Sequence, residues 1–177
     1  MPTPPTFTSG SILTAAQMNA VGLWLVKSQT VGTGVSSVTV TDAFPSDYNA
    51  FKVVYQGGVA STGTTIGITL GASATGYSMS LPYVTYGSAS PAGTSVSGGT
   101  YWALVGYGTA SGMGLNVDIF DPNLARFTRG FGWYVSEAEA GAWAGIHKVA
   151  TAYTDMTLSF FGGTATGGTV SVYGYRK

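Results

Sequence analysis

The only imidazole in this sequence belongs to His147, so a serine nucleophile activated by histidine would have to use this residue. His147 lies in a run typical of a β-strand, residues 142–148, and the chain contains no Gly-x-Ser-x-Gly motif. Ligation of zinc by imidazole would also depend on this one side chain, whereas zinc sites use three or four ligands. We therefore interpret His147 as a structural strand residue, and we predict no catalytic residue and no metal site.

The carboxylates come closest to a cluster in two short segments, one with Asp118 and Asp121 and one with Glu137 and Glu139. Either pair offers oxygen ligands to a hard cation such as calcium. A glycoside hydrolase would need both segments to converge on one bond. The simpler interpretation is that Asp121-Pro122-Asn123 forms a β-turn and that the two glutamates lie in a solvated loop.

A glycine-rich segment, residues 106–114, resembles the loops that hold phosphate groups. Its spacing does not fit Gly-x-Gly-x-x-Gly, it precedes a predicted strand instead of a helix, and no P-loop lysine follows. We predict a glycine-rich hairpin here and no bound cofactor.

Charged side chains are scarce in the whole chain: seven Lys or Arg and seven Asp or Glu make up 8% of 177 residues, with a net charge of zero and no cysteine. Soluble proteins average about 25% charged residues. Without a basic cluster the chain lacks the electrostatic signature of nucleic-acid binding. A neutral, weakly charged surface instead favours association.

Membrane insertion and export are also not expected. The longest apolar stretch, residues 21–26, is far shorter than the roughly 20 residues that cross a bilayer. The N-terminus has neither the basic residues nor the apolar run of a secretory signal.

Most of the sequence has the period-two pattern of β-strands, with β-branched and aromatic residues between Gly, Ser, Asp and Pro clusters. Short strands at this spacing predict an all-β fold, an antiparallel β-sandwich of the jelly-roll type, with a barrel as the competing architecture. Two segments, residues 87–100 and 162–169, are predicted to be a long loop and a hairpin tip. We expect strands near residues 27–31, 35–41, 51–55, 66–70, 77–81, 101–107, 115–120, 127–134, 141–149, 156–161 and 170–175.

The N-terminal residues have a different composition. Three prolines among residues 1–12 favour an extended arm. Thr14 and Gln17 fit a capping box, and Leu13 and Met18 fit the hydrophobic staple around it, so a short helix is predicted from about residue 15 to 21. So short a helix must dock on something to persist. We divide the chain into an anchoring arm, residues 1–26, and a jelly-roll domain, residues 27–177.

Aromatic residues make up 13% of the chain. Five of them alternate in the manner of core residues: Phe51, Trp102, Phe120, Phe131 and Phe160. Others lie near strand ends or loops, where flat rings could contact a protein partner or a sugar. The predicted contact residues for a glycan or partner are Tyr83, Tyr86, Trp133 and Tyr134.

Several segments resemble virion proteins of tailed bacteriophages, namely tail fibres, minor tail proteins and appendage proteins. The similarity covers residues 7–19 (FTSGSILTAAQMN), 23–27 (LWLVK), 38–40 (VTV), 43–54 (AFPSDYNAFKVV) and 168–177 (GTVSVYGYRK). These patterns are architectural and include no catalytic signature.

The resemblance implies a structural virion protein, made in the host cytoplasm and assembled as a homotrimer of a tail fibre or minor tail component that could also contact the host surface. Its partners would be other copies and other virion proteins. Capsid decoration and carbohydrate binding, for example to a host cell-surface glycan, are the alternatives. The predicted anchoring residues are Phe7, Leu13, Thr14, Gln17, Met18 and Trp24.

Overall fold

A computed structural model describes residue 10 and residues 22–175 of the chain. This part contains thirteen strands, all paired antiparallel, and no helix. The prediction of an all-β, antiparallel fold is therefore confirmed, whereas the predicted helix at residues 15–21 lies outside the described residues. The strands are β1 (Leu23–Thr30), β2 (Ser37–Val40), β3 (Ala50–Ala60), β4 (Thr64–Leu70), β5 (Tyr77–Thr85), β6 (Pro91–Gly99), β7 (Trp102–Thr109), β8 (Gly112–Phe120), β9 (Thr128–Val135), β10 (Glu139–His147), β11 (Met156–Phe161), β12 (Ala165–Thr166) and β13 (Thr169–Tyr175).

The sheet branches at β8. Strand β3 pairs with one side of β8 along its length, from Ala50 opposite Phe120 to Gly58 opposite Met113. On the other side, the first part of β8 pairs with β7 and the second part with β9. We call the path β6-β5-β10-β9-β8-β3-β13-β1 the large sheet and the path β7-β4-β11-β2 the small sheet.

The sheet curls strongly, so that β7 packs across β9, β10 and β5 and the core lies between the two sheets. Edge-to-face and tilted ring contacts connect the largest core side chains. Tyr77 lies 5.7 Å from Trp102 and 4.2 Å from His147, and Trp102 lies 5.6 Å from Trp143, measured between ring centroids. These rings fill the interior because the alternating strands turn every second side chain inward.

Two boundaries differ from the sequence prediction. Strand β1 begins at Leu23, four residues before the predicted start, so the division drawn after residue 26 falls inside a strand of the sheet. Residues 91–99, predicted to be a loop, form β6, which pairs with β5. Both faces of β6 are largely exposed, so no apolar alternation marks it in the sequence.

The predicted hairpin tip at residues 162–169 is wrong, because β11 and β13 do not pair with each other and residues 165–166 form β12, which pairs with β3. Two other turn predictions are confirmed. The glycine-rich residues 106–114 form the β7–β8 hairpin. Residues 121–124 form a turn in which the Leu124 N–H donates to the Asp121 carbonyl. Within the described part of the chain, no helix is long and apolar enough to cross a membrane.

Candidate interaction surface

The two faces of β9 carry opposite kinds of residue. Gly130 and Gly132 face the core, while Phe131 and Trp133 face outward, 52% and 69% exposed. The inner face of β9 has little room for side chains: a Cβ on Gly132 would lie 2.7 Å from the Asn116 carbonyl oxygen, and the Trp143 indole of β10 covers Gly130. A Cβ on Gly130 would lie 3.0 Å from Trp143 Cζ3, which is tighter than ordinary packing allows. The outer face of the large sheet, directed away from the small sheet, is therefore aromatic at its centre.

Small residues beside β9 make its side chains protrude. On β10, Ala140, Ala142 and Ala144 pair with Val135, Trp133 and Phe131 in turn. An alanine next to each large side chain leaves the large one standing above its neighbour. We call Phe131, Trp133 and Val135 the aromatic ridge. More exposed apolar residues on the same outer face extend it along other strands: Leu23, Leu25, Phe120 and Val84.

A groove on the β10 and β5 side of Phe131 is almost wholly apolar. Its volume is about 360 Å³, and its lining includes Phe131, Ala144, Ile146 and Met79 together with Arg129, Ser78 and Ser80. Because it offers few hydrogen-bonding groups, this apolar groove suits apolar side chains of a protein.

A second groove, on the β8 and β3 side, mixes aromatic and polar residues. It encloses about 390 Å³, and its lining includes Trp133, Lys52, Asn116 and Asp118. Lys52 Nζ lies 3.2 Å from Asp118 Oδ1 and 3.4 Å from Oδ2. The Tyr175 hydroxyl donates to Oδ1 at 2.6 Å. We call this the mixed groove.

The phenol of Tyr175 holds its proton strongly. Desolvation by burial, followed by the hydrogen bond to Asp118 and the charge of Asp118, raises the pKa of Tyr175 to about 12. At neutral pH Tyr175 is therefore always a donor, and it fixes the position of one carboxylate oxygen of Asp118.

His147 is buried at the end of β10 in an arrangement unsuited to base catalysis. Its Nε2 lies 2.9 Å from Ser73 Oγ and 3.0 Å from the Thr75 carbonyl, which can only accept a hydrogen bond. The proton therefore resides on Nε2, and this nitrogen cannot take a proton from Ser73. Nδ1 is buried and has no partner among the described residues. Burial lowers the pKa of His147, and the hydrogen bond to Thr75 opposes this in part.

The two carboxylate segments lie at opposite ends of β9. Asp118 pairs with Phe131, whereas Glu137 lies in the turn that follows Val135 and Glu139 is the first residue of β10. Measured along β9, about five residues separate Asp118 from the two glutamates, which is about 17 Å at 3.3 Å per residue. Within residues 22–175 no group of three or more His, Cys, Asp or Glu side chains could hold a metal ion.

Of the predicted contact residues, Trp133 lies on the ridge and Tyr86 is exposed in the β5–β6 turn. Tyr83 is half-buried. Tyr134 faces the core and is only 4% exposed, so its assignment as a contact residue is wrong. Phe120 and Phe131 were predicted to be core residues but are exposed. On β8 and β9 the inward-facing positions are the residues next to them, such as Ile119 and Gly130.

Most of the predicted anchoring residues, Phe7, Leu13, Thr14, Gln17 and Met18, lie outside the described residues. Trp24 is half-buried on β1. Its Nε1 is buried and finds no acceptor in the described part of the chain.

Neither a protein-family model nor a curated protein matches the chain.

Proposed function

We propose that this chain is a structural subunit of a tailed-phage virion, most simply a homotrimeric tail-fibre or minor tail protein, and that its curled antiparallel sheet is a jelly roll. The observation that carries the proposal is the apolar groove on the outer face of the large sheet, where the exposed Phe131 lies beside Ala144 and Ile146. Contiguous exposed apolar surfaces mark sites of protein interaction. That the assembly is a phage virion is inferred from the sequence resemblance.

The proposed occupant of the apolar groove is the N-terminal segment, residues 1–21, of a neighbouring copy. This segment has no charged residue, since the first in the chain is Lys27, and it carries Phe7, Ile12, Leu13 and Met18. It joins the described fold at Leu23, which lies on the same outer face as the groove. Twenty-one residues span up to about 70 Å when extended, so the segment can reach an adjacent subunit.

Site-specific crosslinking in the full chain tests this proposal. A photoreactive p-benzoylphenylalanine in place of Phe7 should crosslink to β9 or β10. In a mixture of ¹⁵N-labelled and unlabelled copies, the crosslinked peptides should include pairs of mixed label. If every crosslink joined two segments of the same label, the segment would fold onto its own chain and the proposal would fail.

Oligomeric mass gives a second test. Light scattering should give three times the 18.1 kDa of the chain. An Ile146→Glu substitution places a charge in the apolar groove and should yield monomers, while Tyr86→Glu, at an exposed position in the β5–β6 turn, should leave the trimer intact. A trimer that tolerates Ile146→Glu would exclude this groove as the contact.

Capsid decoration is the nearest alternative, and the copy number in purified particles distinguishes the two. Decoration requires many copies spread over the capsid, whereas a tail component is present in few. Immunogold labelling of intact particles would give the location directly.

A further inference from the structure

We propose that the mixed groove binds a neutral saccharide, with a pyranose ring lying on Trp133. This function goes beyond subunit assembly, since the groove lies on the opposite side of Phe131 from the apolar groove. The indole is the most exposed of the large apolar side chains in the described part of the chain. A flat, amphipathic ring in such a position matches the apolar face of a sugar.

Polar groups stand beside the indole where the sugar hydroxyls would lie. Asp118 Oδ1 receives the Tyr175 hydroxyl and Lys52 Nζ, but Oδ2 has only Lys52 as a partner, at 3.4 Å. Oδ2 therefore keeps lone pairs for a hydroxyl donor. The Asn116 side chain has no hydrogen bond to the described residues and offers both a donor and an acceptor. A few fixed polar groups around an apolar surface are the usual composition of a ligand site.

The charges of the groove select the class of saccharide. Lys52 and Asp118 neutralise each other at 3.2 Å, so the groove has no net charge to attract a sialic acid or a uronic acid. Arg129, the next cation on this face, lines the apolar groove instead. A neutral hexose satisfies these hydrogen-bonding groups without leaving an unpaired charge.

The site is also well ordered by its own contacts. Tyr175 on β13, Lys52 on β3 and Asp118 on β8 belong to three adjacent strands, and their side chains converge on one carboxylate. A carboxylate held by two donors loses little freedom when a ligand binds, which lowers the entropic cost of binding.

The test uses the full chain and three probes: methyl α-D-glucopyranoside, methyl β-D-galactopyranoside and methyl α-D-mannopyranoside. Saturation-transfer NMR should show transfer to the apolar face of at least one of them, with a dissociation constant on the order of 1–10 mM. The methyl glycoside of N-acetylneuraminic acid is the anionic comparison and should bind more weakly.

Variants then locate the site. Trp133→Ala should weaken binding at least tenfold, Asp118→Asn should also weaken it, and Tyr86→Ala, an exposed ring outside the groove, should leave it unchanged. Circular dichroism checks that each variant is folded. The proposal is overturned if no neutral probe binds at about 20 mM, if Trp133→Ala binds as well as the unmodified chain, or if the anionic glycoside binds more tightly than the neutral ones.

Discussion

Trp143 and Trp133 lie on neighbouring strands of one sheet and point in opposite directions. Trp143 is covered by the small sheet, donates its Nε1–H to the Ala103 carbonyl and is almost fully buried. Trp133 pairs with Ala142, one residue from Trp143, and is 69% exposed. The same side chain is thus structural on one face and free for contact on the other. The role of each tryptophan therefore depends on what covers its face of the sheet and not on its residue type.

The largest difference between the two faces is expected when each indole is removed in turn. Trp143→Ala should lower the free energy of unfolding by about 3–5 kcal/mol, because it leaves a cavity among Trp102, Gly130 and Gly145. Trp133→Ala should change it by no more than about 0.5 kcal/mol. Urea denaturation of both variants measures the contrast, and equal losses would show that the outer indole is also part of the core.

Adding atoms should reveal the same difference between the faces. A Cβ on Gly145 would lie 2.6 Å from Trp143 Cη2 and 2.9 Å from Trp102 Nε1, so Gly145→Ala should cost about 1–3 kcal/mol by overpacking. Ala142→Ser, on the outward side of the same strand, should be nearly neutral. Thermal unfolding monitored by tryptophan fluorescence compares the two, and an unchanged melting temperature for Gly145→Ala would contradict the packing described here.

Acid should lower the stability of the folded protein through the buried His147. Burial holds the pKa of His147 below its ordinary value of about 6.5, so the unfolded chain takes up a proton that the folded chain resists. Stability is therefore complete above about pH 6.5 and falls as the pH decreases below it, by up to about 1.4 kcal/mol per pH unit. The His147→Gln variant should lack this part of the pH dependence. Parallel slopes for both proteins between pH 7 and pH 5 would rule out His147 as the source.

The smallest effect is expected on the outer face, at Tyr175. Its hydrogen bond to Asp118 should contribute about 1 kcal/mol, which Tyr175→Phe removes. Because the folded pKa is raised to about 12, this contribution is complete below the ordinary tyrosine pKa of about 10 and is lost as the pH rises toward 12. Denaturation at pH 8 and pH 11 should show the two proteins converging. A constant difference would mean that the proton of Tyr175 plays no part.

Period-two alternation predicted most strands and the antiparallel class, because half-buried strands with large inward side chains produce that pattern. It failed for β6, whose two faces are both exposed and whose pairing depends on backbone hydrogen bonds with β5. No side-chain pattern records such a strand.

For β9 the sequence did not reveal which side chains face the core, and the reason is a different one. Residues 130–133 alternate glycines with aromatic residues, and aromatic residues ordinarily face the core. Here Trp143 closes the inner position at Gly130 and the Asn116 carbonyl closes the one at Gly132, so the aromatic positions of β9 lie on the outer face. A run of alternating glycine and aromatic residues, next to a strand with a large central residue, is the signal that would have identified the ridge.

The pairing of β1 with β13 has a mechanical consequence. Leu23 lies opposite Tyr175, so residues 23 and 175 are at the same corner of the sheet. A pull that separates these two residues would open the backbone pairs one after another, as a zipper opens, at low force. A pull on residue 23 along the axis of β1, resisted elsewhere in the sheet, would load all the pairs together and meet far greater resistance. The direction of tension would therefore decide whether this edge holds or peels.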